Sequence, residues 1–302
     1  MMELSKQLAE YATREPRIQA VLLLGSRSRK DHPADVYSDY DFLLLTTDSR
    51  YFLETDDWLK QFGTIHISFL EPTLSGGMER RVCFDGAQDA DFLLFPADRA
   101  AELARDPEVG RLLSRGYRVP VDKIAFAAML SNLPIPGPAI LSEAEFQNLV
   151  QTFAFHILWA VKKVRRGELW CAKQCIDGYM KQLLRQMLEC REKAGHGDSF
   201  DCWHDGRFLD QWLDKNFAAR LPETFAKYEA ADLIRALSST AELFAAAAKE
   251  AAAKRHFRYP AESMGYAMRQ FQLIVEDRHT VSLSSQHPGL NANPEKIETS
   301  GE

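Results

Sequence analysis

An α+β fold in two parts is predicted: an N-terminal domain with a mixed β-sheet flanked by helices, followed by a C-terminal α-helical bundle. Three observations predict it. Short apolar runs bounded by turn residues recur between residues 18 and 121, as buried strands require. The segment Asn132-Leu133-Pro134-Ile135-Pro136-Gly137-Pro138 is a connector that cannot continue a helix. Beyond it, apolar residues recur at helical spacing. The implied limits are residues 1–131 for the first domain, 139–280 for the second and 281–302 for a polar, disordered tail.

Leu4, Leu8 and Tyr11 lie at helical spacing and predict a first helix over 3–15. Ile18 to Leu24 is a buried strand that runs into a Gly25-Ser26 turn, and Tyr40 to Thr46 is a second. Residues 49–62 read as a helix and 64–70 and 79–84 as strands; after the turn signal Asp85-Gly86, Ala90 to Phe95 is a further strand. Tyr117 to Val121 closes this half. In the second half, Ser142 and Glu145 form a capping box that opens a helix running to Arg166, with Gly167 as its stop. Helices over 168–193, 207–216, 230–255 and 260–277 follow. The segment Ala241 to Lys254 has the composition of a rigid linker, but Leu243, Phe244 and Ala247 leave an apolar stripe that can pack.

Composition narrows the function. With 37 basic and 43 acidic residues the formal charge is −6, and basic residues do not gather into long runs. That argues against nucleic acid as a partner and suits a cationic small molecule. No apolar stretch approaches the roughly 18 residues of a membrane span, and the first residues lack a secretory signal, so a cytoplasmic monomer is expected, with no membrane partner. The five cysteines, Cys83, Cys171, Cys175, Cys190 and Cys202, form no CxxC pair and read as reduced thiols.

The segment Leu22 to Leu45 carries the chemistry. It places Gly25-Ser26 at the mouth of one strand and Asp39-Tyr40-Asp41 at the start of the next. Side chains at i and i+2 of a strand share a face, so Asp39 and Asp41 project together. Two adjacent carboxylates repel unless a cation lies between them, and an all-oxygen ligand set selects Mg²⁺ or Mn²⁺. Asp91, opening the strand Asp91-Phe92-Leu93-Leu94-Phe95, is the expected third carboxylate of a two-metal site, with Asp89 as its alternative. Gly25 lets the backbone approach a phosphate, the Ser26 hydroxyl helps to cradle it, and Arg27, then Arg29 or Lys30, is placed to neutralise a leaving pyrophosphate.

These residues resemble the polymerase-beta-like nucleotidyltransferase superfamily, and further stretches are similar to its aminoglycoside 6-adenylyltransferase (streptomycin adenylyltransferase) family. In the first half these are Gly25-Ser26-Arg27, Ser38 to Phe42, Asp85-Gly86 before Asp91, and Val121-Asp122-Lys123. In the second they are Gly167-Glu168-Leu169, Ile176-Asp177, Leu183-Leu184, Gly206 to Leu209 and Tyr259-Pro260. The resemblance implies a nucleotidyltransferase domain followed by a helical acceptor-binding domain. It also implies ATP and Mg²⁺ held by Gly25, Ser26, Asp39 and Asp41, with Asp91 at the third acidic position. The reaction expected is transfer of AMP from ATP to a hydroxyl of an aminoglycoside such as streptomycin, with release of pyrophosphate. A different acceptor, small molecule or protein, and a catalytically inactive nucleotide-binding regulator are the other readings.

A polycationic acceptor calls for acidic groups, and the helical half offers Glu143, Glu145, Asp177 and the loop Asp198 to Asp205. Asp177, mid-helix beside Ile176, Met180 and Leu184, is the first candidate for the base that takes the acceptor's proton, and Asp91 the second. Lys173 and Lys181, each four residues away, offer Asp177 an ordinary ion pair instead. Trp159, Trp170, Trp203 and Trp212 are candidates to stack on a ligand, although most belong to a core, as does His156.

Overall fold

The computed structural model describes residues 3–29 and 31–277. Lys30 and the tail expected over 281–302 lie outside them. The chain divides into two compact units, Met1–Gly137 and Pro138–Glu302.

The first unit is a six-stranded sheet. Its strands are β1 (Ile18–Leu23), β2 (Tyr40–Thr46), β3 (Ile65–Pro72), β4 (Met78–Phe84), β5 (Gln88–Pro96) and β6 (Arg118–Asp122), in the order β3-β4-β5-β2-β1-β6. β2 and β5 run parallel and every other neighbouring pair antiparallel, so the sheet is mixed. Alternate side chains feed two cores. Val21, Leu23, Phe42, Leu44 and Phe92 pack with α1 (Leu4–Arg14) and α2 (Ser49–Glu54) on one face. Leu22, Leu43, Leu45, Leu93 and Phe95 pack on the other, against α3 (Ala100–Leu103), α4 (Pro107–Leu113) and α5 (Phe126–Met129). Burial on both faces explains why these strands read as unbroken apolar runs.

Lys123 joins this frame to α1: its Nζ donates to Ala12 O at 2.7 Å and Glu15 O at 2.8 Å, capping the helix's carboxyl end. The neighbouring Asp122 accepts from Phe126 N at 2.8 Å and Ala127 N at 2.9 Å and so starts α5.

The helix expected over 49–62 stops at Glu54. Arg80 on β4 explains this. Its side chain is buried and donates to the Phe52 carbonyl at 3.2 Å and to the Leu53 carbonyl, while Trp58 Nε1 also donates to Phe52 O at 3.2 Å. Carbonyls that would have continued the helix are thereby taken by side chains. Arg80 Nη1 also meets Asp56 Oδ1 at 2.5 Å and Ser68 Oγ at 2.7 Å, fixing the following turn against β3.

The second unit has one helical core. The capping box on Ser142 is formed and opens α6 (Glu143–Arg165). The helix expected over 168–193 is three pieces: α7 (Leu169–Lys173), a π-helical turn at Gln174–Tyr179, and α8 (Met180–His196). The helix expected over 207–216 is two short ones, α9 (Leu209–Trp212) and α10 (Lys215–Ala218), because Asp214 caps a new start by accepting from Asn216 N at 2.9 Å. The alanine-rich segment lies in α11 (Ala230–Arg255), where Ala247, Ala248, Ala251 and Ala252 are buried against α6 and α8, and Phe244 stacks on Phe153 at 3.7 Å. Small side chains there let helices approach closely. The last element is α12 (Ala261–Glu276).

Arg80→Met is expected to lower the unfolding free energy by about 2–4 kcal/mol, because it strips donors from buried carbonyls and from Asp56. Urea denaturation of the full chain checks this; a change within about 0.5 kcal/mol would remove Arg80 as the stop signal for α2.

Candidate active site

Parallel pairing of β2 with β5 sets Asp41 directly beside Asp91. Asp39 lies two residues before Asp41, on the same side of the strand line. The structure brings the three together: one carboxylate oxygen from each of Asp39, Asp41 and Asp91 lies within 4.8 Å of the others. Asp89, the alternative, faces Cys83 across the β4–β5 hairpin and lies outside this cluster. Three converging carboxylates form a hard, anionic oxygen set, which suits a divalent cation of the Mg²⁺ type.

The turn after β1 closes over this cluster. Leu24 N donates to Asp41 O at 2.8 Å, and Gly25–Arg27 then form one 3₁₀ turn. Gly25 has φ +63°, and a β-carbon there would stand 1.9 Å from Asp41 Oδ2. Glycine is therefore demanded twice, by the left-handed backbone and by the carboxylate against it. The Ser26 hydroxyl is buried and has no hydrogen-bond partner among the described residues. A buried unsatisfied hydroxyl beside a turn of backbone N–H groups is a group prepared for a ligand.

Arg27 is held rather than extended. Its Nε donates to Asp39 O at 2.8 Å, its Nη2 donates to Ser38 O at 2.6 Å, and the guanidinium stacks on Tyr40 at 3.7 Å. It thus places positive charge next to the acidic cluster while clamping the turn to the start of β2. Arg29 Nε donates to Asp31 O and His32 O, both at 3.0 Å, and so serves the loop between them.

Arg81, which sequence reasoning missed, is the cluster's neighbour on β4. It pairs with Asp91 in register, with Nη2 3.4 Å from Asp91 Oδ2 and Nε 2.7 Å from Glu79 Oε1. A signal for it existed: a hairpin centred on Gly86 places residue 81 opposite residue 91. Desolvation pushes the Asp91 carboxyl up to about 6; Arg81 opposes this, while Glu79, Asp39 and Asp89 reinforce it.

Asp177 lies in the second unit, within the π-helical turn. Its Oδ2 accepts from Lys173 Nζ at 2.5 Å and from Ala226 N at 3.4 Å, and Lys181 Nζ is 3.8 Å from its Oδ1. Burial pushes the Lys181 ammonium down to about 8, and Lys181 also donates to the Ile176 carbonyl at 3.0 Å inside the π turn. The turn lines a cavity of about 300 Å³ with Trp170, Lys173, Gln174, Asp177 and Gly178. An adjoining cavity of about 730 Å³ shares Trp170, Gln174 and Gly178 and adds His156, Trp159 and Tyr179. Trp170 is 66% exposed, whereas Trp203 and Trp212 are buried in the core. Gln174 and Tyr179 were not anticipated, because a π turn has no plain sequence signature. His156 Nδ1 lies 2.8 Å from Thr152 O, within its own helix. The acidic groups Glu143 and Glu145 serve helix ends, Glu145 in the capping box and Glu143 accepting from Arg258 N at 2.7 Å. All five cysteines are free.

Known proteins are similar to this chain over most of its length. The streptomycin adenylyltransferase family matches residues 1–271. An aminoglycoside 6-adenylyltransferase of Bacillus subtilis (strain 168) is 23% identical over 265 residues, covering 83% of this chain and 89% of its own. One from Campylobacter jejuni is 23% identical over 257 residues, covering 83% and 87%. One from Staphylococcus aureus is 22% identical over 225 residues, covering 71% and 78%. The crystal structure of an aminoglycoside 6-adenyltransferase from Bacillus subtilis aligns with 92% of this chain and all of its own, at 18% identity and a TM-score of 0.45. No helix among the described residues is long and apolar enough to cross a membrane.

Gly25→Ala is expected to destabilise the fold by about 1–3 kcal/mol, through left-handed strain and displacement of the Asp41 carboxylate. Adding Asp41→Ala removes the clash but not the strain, so the double variant should recover part of the loss. Thermal unfolding of both proteins decides it; strict additivity of the two substitutions would refute the clash.

Proposed function

Because the chain belongs to the streptomycin adenylyltransferase family, we propose that it transfers AMP from ATP to a hydroxyl group of an aminoglycoside, streptomycin first among them, and releases pyrophosphate. The observation that carries this reading is the convergence of Asp39, Asp41 and Asp91 within 4.8 Å beside Gly25 and the unpartnered hydroxyl of Ser26.

The three aspartates would hold Mg²⁺, two ions in all, and the Gly25-Ser26 turn the β- and γ-phosphates. When bound, the ions supply charge neutralisation at the α-phosphate and the leaving pyrophosphate. The acceptor oxygen forms a bond to the α-phosphorus as the bond from that phosphorus to the bridging oxygen of pyrophosphate breaks. Most of the rate enhancement then comes from alignment and from fixed charge. Arg27, pinned to the Ser38 and Asp39 carbonyls, adds positive charge on the triphosphate side.

The hydroxyl's proton goes to a carboxylate within hydrogen-bond reach. Of the two candidates, the surroundings favour Asp91. Asp91 stands in the aspartate cluster itself, whereas Asp177 lies in the second unit, paired with Lys173 at 2.5 Å, so its part is better read as shaping the cavity beside Trp170.

Pyrophosphate release with ATP, Mg²⁺ and streptomycin is the direct test. Asp39→Asn is expected to lower turnover by more than about 100-fold with an unchanged circular dichroism spectrum. A variant as active as the parent would end the metal assignment, and a parent inactive on every aminoglycoside would end the assigned acceptor. A second expectation concerns pH. Metal binding requires Asp91 ionised, and its carboxyl titrates near 6 without metal. Above that value Mn²⁺ affinity should be flat; below it, affinity should fall by about tenfold per pH unit. Titration calorimetry with Mn²⁺ from pH 5 to 8 checks the sign, and affinity that rises on acidification would contradict it.

A further inference from the structure

In-line transfer has a direction, and the strand order converts it into a location. The attacking and leaving oxygens stand on opposite sides of the α-phosphorus. Gly25 and Ser26, the proposed seat of the leaving phosphates, follow β1 and sit on the β1 side of the aspartate cluster. The acceptor must therefore enter from the opposite side, across β5 toward β4 and β3.

On that side the sheet carries an open shelf. The register aligns Asp41, Asp91, Arg81 and Phe69 in one row, so their side chains share a face. Phe69 is 44% exposed and Ile67, two residues earlier on the same face, is 56% exposed. At the usual strand spacing Phe69 stands about 10 Å from Asp91, the reach of one or two sugar rings. Acidic groups surround the row. Glu79 and Glu71 lie 2.7 and 3.4 Å from Arg81, Asp91 lies on its other side, and Asp89 projects one step along β5. Arg81 alone cannot neutralise these four carboxylates, and the surplus is negative.

We propose that this shelf, Ile67, Phe69 and Glu71 of β3 with Asp89 of β5, is a subsite for the acceptor: a hydroxylated ring bearing ammonium or guanidinium groups. Its apolar face lies on Phe69 and Ile67 while its cations meet Glu71 and Asp89. Charge complementarity and continuity with the aspartate cluster select this occupant over a second copy of the chain. Arg81 sets the floor between them, holding Glu79 and Asp91 in place. The inference rests on the proposed adenylyl transfer and extends acceptor recognition to the first unit.

The test is steady-state kinetics of the full chain with ATP and streptomycin, together with calorimetric binding of streptomycin alone. Phe69 is exposed and Glu71 half-exposed, so Phe69→Ala and the conservative Glu71→Gln leave the apolar cores untouched. Each is expected to raise the acceptor KM and Kd by about three- to tenfold and leave the ATP KM within about twofold. Glu71→Lys should raise them further, by an amount that shrinks in high salt. A raised ATP KM with an unchanged acceptor KM would assign the shelf to the nucleotide and overturn the proposal. So would unchanged kinetics with an altered mass by light scattering, which would make β3 an interface between copies. If the parent turns over no aminoglycoside, the function itself fails and the subsite with it; if the parent is active and the variants match it, only the subsite fails.

Discussion

Mutual repulsion among Asp39, Asp41 and Asp91 is the constraint around which the first unit is arranged. Carboxylates this close are tolerated only where the frame holds them and a cation can relieve them. The frame is the parallel pairing of β2 with β5, buried on both faces by Phe42, Leu43, Phe92 and Leu93, so that the strands cannot slide apart. A one-residue slip would turn either aspartate into the opposite core, which apolar packing forbids.

The surrounding residues follow from that constraint. Gly25 is needed because Asp41 occupies the space a side chain would fill. Arg27 and Arg81 bracket the cluster from opposite sides: Arg27 is held by the Ser38 and Asp39 carbonyls and Tyr40, and Arg81 lies between Glu79 at 2.7 Å and Asp91 at 3.4 Å. Positive charge is thereby kept close without filling the space between the aspartates. Arg80, on the opposite face of the same strand, has a purely architectural part, ending α2 and fixing the turn against β3.

The second unit solves a different problem. The helical run over residues 169–196 is interrupted at Asp177 by the wider π turn at Gln174–Tyr179. Lys181 takes the Ile176 carbonyl that the wider turn frees, and Lys173 and Lys181 together compensate Asp177. Cavities lined by Trp170, Gln174 and Tyr179 result, with aromatic faces exposed beside polar groups. Such a wall suits a ligand that is part ring and part cation.

The amino-acid sequence by itself determined the two-part α+β plan, the strands β1, β2 and β5, the capping box on Ser142, and the aspartates that would meet. These are encoded locally, in apolar period, turn residues and the i, i+2 geometry of a strand. It did not determine where α2 ends or the π turn, because side-chain partners such as the Arg80 guanidinium and the Lys181 ammonium override local propensity, whereas the break between α9 and α10 is set locally by the Asp214 cap. Only the tertiary structure decided that Asp91 rather than Asp89 joins the cluster, and that Arg81 and Phe69 stand in line with it. Those facts depend on strand order and register, which residues distant in the chain settle by sharing one buried sheet.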